Sequence, residues 1–257
     1  MSAQDNYIAY STLVRKETVR FFRIWSQTLV PPMITQTLYF LIFGKFIGSQ
    51  IGDINGISYM AFIVPGLVMM SVINNSYMNV SGSFFSSKFQ HSIEELLVSP
   101  ASNWAIIAGY ATGGALRGVV CGFLVFCVSI FFTKPAIHNI FIVFLFIVLT
   151  AIVFSLGGLL NGILAKKFDD VSIVPTFILV PLTYLGGVFY SVKLLPPFWQ
   201  NLSQLNPILY MVNGFRYGFY GFSDVPVTTS LAILVVFTIT LTAINLWILN
   251  KGTGLRT

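Results

Sequence analysis

Between Arg23 and Lys251 the chain contains long stretches with no charged side chain, among them residues 24–44, 54–87, 135–165, 171–192 and 225–250. A helix needs about 20 apolar residues to cross the hydrocarbon core of a bilayer, and each stretch is long enough. A sixth apolar stretch, 106–132, is interrupted once, by Arg117. Of the 257 residues, 56% are hydrophobic and 9% are charged, against about 25% charged in soluble domains. So few polar groups cannot cover the apolar surface, and lipid is the solvent for most of it. The expected fold class is an all-α integral membrane protein with six transmembrane helices, near 29–49, 59–81, 106–132, 140–164, 171–191 and 228–249. Residues 1–28 form a cytoplasmic N-terminal segment, and 29–257 form the membrane domain.

Orientation follows from the basic residues. With the N-terminus in the cytoplasm, Arg15, Lys16, Arg20, Arg23, Lys88, Lys166, Lys167, Lys251 and Arg256 lie on that side, and Lys45, Lys134, Lys193 and Arg216 lie opposite. The nine-to-four bias places both termini in the cytoplasm. The net charge of +6 does not imply nucleic acid, because no basic run exceeds the pairs Arg15/Lys16 and Lys166/Lys167. More than twenty residues, several of them charged, precede the first apolar window, so no cleavable signal is expected. Cys121 and Cys127 share one apolar stretch but lie on different faces of a helix, which excludes a disulfide between them.

Three segments outside the spans stand out. Tyr10, Leu13, Val14, Phe21, Ile24 and Trp25 share one sector at helical spacing, with Arg15, Lys16, Arg20 and Arg23 opposite. This reads as an amphipathic helix in the membrane interface. Glu17 projects from its apolar sector, either as a snorkelling carboxylate or in contact with a protein surface or a helix above, and a soluble partner docking there would give it a use. In residues 83–103, Ile93, Glu94, Glu95, Leu96, Leu97 and Val98 make a short helix that Pro100 stops. Glu94 and Glu95 are then a solvated pair or part of a docking helix. From Lys193 to Tyr220, Pro196, Pro197 and Pro207 cut the chain into pieces too short to span. An outer re-entrant hairpin is expected there, with Phe198, Trp199, Tyr210, Tyr217 and Tyr220 at the headgroup boundary.

The chemistry of the chain excludes several functions. No GxxxxGK[ST] string exists, so the chain has no phosphate loop for ATP. His91 and His138 have no second histidine or cysteine at helical spacing, so a metal site is not expected. All eight acidic residues fall outside the six spans, which argues against an ion-driven secondary transporter. No nucleophile, base and metal converge as a membrane-embedded lipid enzyme requires. Inside the spans, Ser71, Asn75 and Asn79 repeat every four residues, and Asn161 lies near the end of span four. Such groups bond neighbouring helices or line a solute path. The series Gly114/Gly118/Gly122 and Gly158/Gly162 favour close helix packing. Arg117, a charge at membrane depth, costs about 2.5 to 3.5 kcal/mol even on lenient scales. It acts as a clamp to carbonyls or asparagines, or it lines a hydrated path.

The order of a KExxR helix (Lys16, Glu17, Arg20), six spans, IEELLVSP (Ile93 to Pro100), KKFDD (Lys166 to Asp170) and LPPFW…LNPILY…GFRYG (Leu195 to Gly218) resembles the ABC transporter type-2 permeases. The resemblance covers essentially the whole chain. It implies a permease of a bacterial inner-membrane exporter of lipids, glycan-lipids or drugs, working as a homodimer with two cytoplasmic ATPase subunits. ATP and Mg would sit on those subunits, and no cofactor on this chain. It also implies that loop 83–100, with Glu94, Glu95, Leu96 and Leu97, and loop 165–170, with Lys166, Lys167, Asp169 and Asp170, couple to the ATPase. The outer hairpin 193–220 would place Phe198, Trp199, Asn206 and Tyr210 over the path between two copies that meet along spans one and five.

Overall fold

The computed structural model describes residues 3–54, 56–252 and 254, and for Ser49 and Leu97 the backbone alone. Arg256, counted above among the basic residues, lies outside the described residues. Six helices are long and apolar enough to cross a membrane: Trp25–Ile47, Tyr59–Phe89, Asn103–Ile130, Ile140–Leu164, Phe168–Leu185 and Val227–Lys251, hereafter spans one to six. A helix Ala3–Arg23 precedes them. Between spans one and two, Asp53–Ile54 pairs antiparallel with Ile57–Ser58. A short helix, Ser92–Val98, follows span two. Pro197–Gln204 and Pro207–Tyr220 form two helical pieces between spans five and six.

The helix starts are set by polar side chains that take up free backbone donors. Ser102 Oγ accepts from Ala105 N at 3.2 Å ahead of span three, and Asn139 Oδ1 accepts from Phe141 N and Ile142 N ahead of span four. Most boundaries shift by a few residues, and two move furthest. Span two runs on to Phe89 instead of ending near residue 81, because its serines are buried against the rest of the chain and face no water. Span five stops at Leu185 instead of 191, where Gly187 adopts φ +72, a left-handed turn that glycine enters without strain. Spans one and five each contain a wide π-helical stretch, Phe40–Ile47 and Pro175–Leu179.

Span two is the axis of the bundle, buried along nearly its whole length against spans three and four. Small residues make this possible. A side chain at Gly118 would collide with Ser76, and one at Gly158 with the Tyr77 carbonyl. Pro65 lies inside span two and has no N–H to offer the carbonyl of Ala61. The Tyr220 hydroxyl donates to that carbonyl instead, at 2.7 Å. Spans one and five keep apolar side chains such as Ile34, Leu38, Phe46, Phe177 and Ile178 on the outside. They touch each other where the Tyr39 and Tyr184 hydroxyls lie 2.9 Å apart.

Candidate functional site

The N-terminal helix packs on span three through two glycines. Side chains at Gly109 and Gly113 would strike Leu13 and Glu17, and this close approach encloses Glu17 completely. Its carboxylate does not snorkel and does not face outward for a soluble partner; of the alternatives read from the sequence, it makes the contact with neighbouring helices. It turns onto span two, where Ser71, Asn75, Asn79 and Ser83 repeat along one face. Glu17 Oε1 accepts from the Ser83 hydroxyl at 2.5 Å. Its Oε2 accepts from Arg20 Nη2 at 2.8 Å and from Asn79 Nδ2 at 3.2 Å.

Asn79 is the hub of this cluster. Its Oδ1 accepts from Arg20 Nη2 at 2.8 Å and from Arg117 Nη1 at 3.3 Å. Arg117 Nη2 donates to Asn75 Oδ1 at 3.4 Å, and Asn75 Nδ2 donates to the Ser71 carbonyl at 2.9 Å. The structure thus brings together Glu17, Arg20, Asn75, Asn79 and Arg117. It leaves Asn161 apart, donating to the Val171 carbonyl at 3.0 Å and tying span four to span five. Arg117 also borders a cavity of about 330 Å³ between span one and spans two and three.

At the end of the bundle that carries residues 83–100 and 165–170, Lys88, counted from the sequence among the basic residues of the cytoplasmic side, is buried. Its ammonium donates to the carbonyls of Ile163 and Ala165 at 3.0 and 2.7 Å, closing the last turn of span four. The ring of Phe168 stands edge-on to Phe85 and Phe89, each at 4.9 Å. Asp170 accepts from the backbone N–H groups of Lys166 and Lys167 at 2.8 and 3.0 Å. Lys166, Lys167 and Asp169 are exposed. On the short helix Ser92–Val98, Glu95 is exposed, Leu96 is half-buried and the exposed Glu94 pairs with His91 at 3.2 Å. The side chain of Leu97 lies outside what is described.

At the opposite end, Phe198 and Trp199 are exposed and meet edge-on at 5.4 Å. Asn206 is buried and structurally engaged: its Nδ2 donates to the Leu182 carbonyl at 2.6 Å, and its Oδ1 accepts from Ile208 N at 3.0 Å. The Tyr210 hydroxyl donates to the Gln204 carbonyl at 2.7 Å. Arg216, counted from the sequence among the basic residues of the outer side and within the hairpin, is 2% exposed. It donates to the Gly187 carbonyl at 2.7 Å, and its guanidinium lies 4.0 Å from the centre of the Phe62 ring. The available signal was its setting between Gly214 and Gly218, where side chains would collide with Phe146 and Val143 of span four.

These sites hold charges and helices in place and assemble no nucleophile with a base. The comparisons with known proteins agree with that chemistry. A family model described as ABC-2 type transporter matches residues 8–220. The inner membrane transport permease YadH of Escherichia coli strain K12 is 59% identical over 250 residues, which cover 97% of this chain and 98% of that protein. Nodulation protein J of Neorhizobium galegae is 20% identical over 224 residues, 87% of this chain and 86% of that protein. With the family match spanning five of the six spans and the near full-length identity extending over the sixth, the chain belongs to the ABC-2 type transporter family as a permease, the membrane subunit and not the ATPase.

Proposed function

We propose that this chain is the permease of an ATP-driven exporter in a bacterial inner membrane, moving an amphiphilic cargo. Two copies pair along spans one and five, and two cytoplasmic ATPase subunits, which hold the ATP and Mg, dock at the end carrying residues 83–100 and 165–170. Both termini lie on that side. Residues 1–28 form the cytoplasmic N-terminal unit, whose helix lies in the lipid interface, and 29–257 form the permease domain. Residues 193–220 form the outer re-entrant hairpin, where Phe198, Trp199 and Tyr210 narrow the exit.

The observation that carries this reading is the fastening of the two loops to each other. Lys88 joins the end of span two to the end of span four, and Phe168 joins the start of span five to Phe85 and Phe89. A soluble subunit that displaces the Ser92–Val98 helix therefore moves three spans together. Glu94 and Glu95 offer it exposed charge beside the half-buried Leu96. The relative named as an inner membrane transport permease supports the location.

Reversing both charges, Glu94→Lys with Glu95→Lys, tests the docking. The expected outcome is loss of ATPase co-purification and of ATP-driven transport with the permease still folded; full retention of both would refute it. For the pairing, single cysteines in spans one and five should crosslink two copies, and cysteines on the outer faces of spans three and four should not.

A further inference from the structure

The cluster around Asn79 is unbalanced in charge. Two guanidiniums, Arg20 and Arg117, converge on it, and Glu17 supplies one carboxylate. That carboxylate is hydrogen-bonded by Arg20, Asn79 and Ser83, and Arg117 donates to the neutral amide oxygens of Asn75 and Asn79. A net positive charge therefore stays on the cluster, with Arg20 reaching the surface and Arg117 half-buried at the membrane-depth side, where a charge without a counter-ion is costly.

The cavity beside it has the complementary construction. Gln36 lines it at 4% exposure, and Gln36 Oε1 finds no partner among the described residues; the same holds for Nε of Arg117. Asn74 and Ser71 add polar wall, and Met70 and Met78 add apolar wall. Thr35 and Met78 are exposed at its edge, so it opens out of the chain. Its volume of about 330 Å³ is within the range of small-ligand sites, about 300–1,000 Å³.

We infer that this cavity binds the phosphate-type anionic head of an amphiphilic molecule, with Arg117 facing the oxyanion, Gln36 Oε1 accepting from a hydroxyl on the head, and the methionines against the first carbons of the tail. The inference deepens the proposed function by giving the cargo a charged group, and it rests on that reading only for the identification of the ligand as cargo.

The test uses the full chain in nanodiscs of phosphatidylcholine and measures binding of dodecyl phosphate, dodecyl maltoside, dodecyltrimethylammonium and inorganic phosphate. Dodecyl phosphate should bind at least about tenfold more tightly than the maltoside, a difference of about 1.4 kcal/mol. Arg117→Gln should abolish that preference. Should Arg117→Gln fail to fold, Gln36→Glu keeps the size of the lining and should weaken dodecyl phosphate and strengthen the trimethylammonium probe. Equal binding of phosphate and maltoside heads, or a preference unchanged in the folded variants, overturns the inference. Inorganic phosphate displacing dodecyl phosphate mole for mole overturns the amphiphile in favour of a free anion. No ATPase takes part, so failure here leaves the docking test of Glu94 and Glu95 standing, and failure there leaves this one standing.

Discussion

Arg216 and Arg117 are both held against span two, the first beside Phe62 at its start and the second beside Asn75 and Asn79 in its middle. Arg216 is enclosed: the Gly187 carbonyl accepts from its Nη2 and the Phe62 ring lies against its charge, although its Nε, like that of Arg117, has no partner among the described residues. Arg117 is half-buried, shares a carboxylate-poor cluster with Arg20 and borders an open cavity. The difference teaches that a buried charge in a membrane protein can serve as a fixed clamp when its own chain satisfies it, and as a receptor when one side is left open.

The sharpest way to break this contrast is to remove each arginine in turn. Arg216→Ala strands the Gly187 carbonyl and loses both the charged hydrogen bond and the ring contact, so the purified chain should lose about 3 kcal/mol or more of stability. Arg117→Leu removes a charge that the fold leaves uncompensated, and should change stability by less than about 1 kcal/mol. Equal losses in thermal unfolding would erase the distinction.

A smaller effect sharpens it. Glu17→Gln leaves two guanidiniums with no carboxylate and should cost about 2 kcal/mol. Adding Arg117→Leu to that variant should recover part of the loss, and a double-mutant cycle reads the coupling. Additive effects would mean that Glu17 does not sense Arg117. The smallest change is Tyr220→Phe, which returns the Ala61 carbonyl freed by Pro65 to an unsatisfied state at a cost of about 1 kcal/mol. A wild-type melting curve for that variant would show that the carbonyl finds another donor.

Much of the bundle was legible from charge spacing alone. Span four, expected at 140–164, is Ile140–Leu164, and span six, expected at 228–249, is Val227–Lys251. Both lie between charged or turn-forming residues, so hydropathy sets their ends. Span two was shortened because SGSFFSS reads as polar, and only the packing of the N-terminal helix shows that those serines face protein. Glu17 stood out in sequence as an anomaly in an apolar sector, and its partner Arg20 is at helical spacing, but Asn79 and Ser83 lie more than sixty residues away, beyond what periodicity carries. Lys88 and Arg216 looked like loop charges because their acceptors are backbone carbonyls, which leave no mark on a sequence.

The position of those acceptors along the chain bears on how the protein is made. Synthesis runs from the N-terminus, and each enclosed arginine comes after the groups that receive it. Asn75 and Asn79 precede Arg117, and Phe62 and Gly187 precede Arg216. When either guanidinium leaves the ribosome, its hydrogen-bond acceptors have already been delivered to the bilayer. A span carrying Arg117 can then partition into lipid beside a waiting asparagine, and the order of translation lowers an insertion barrier that the isolated segment would face alone.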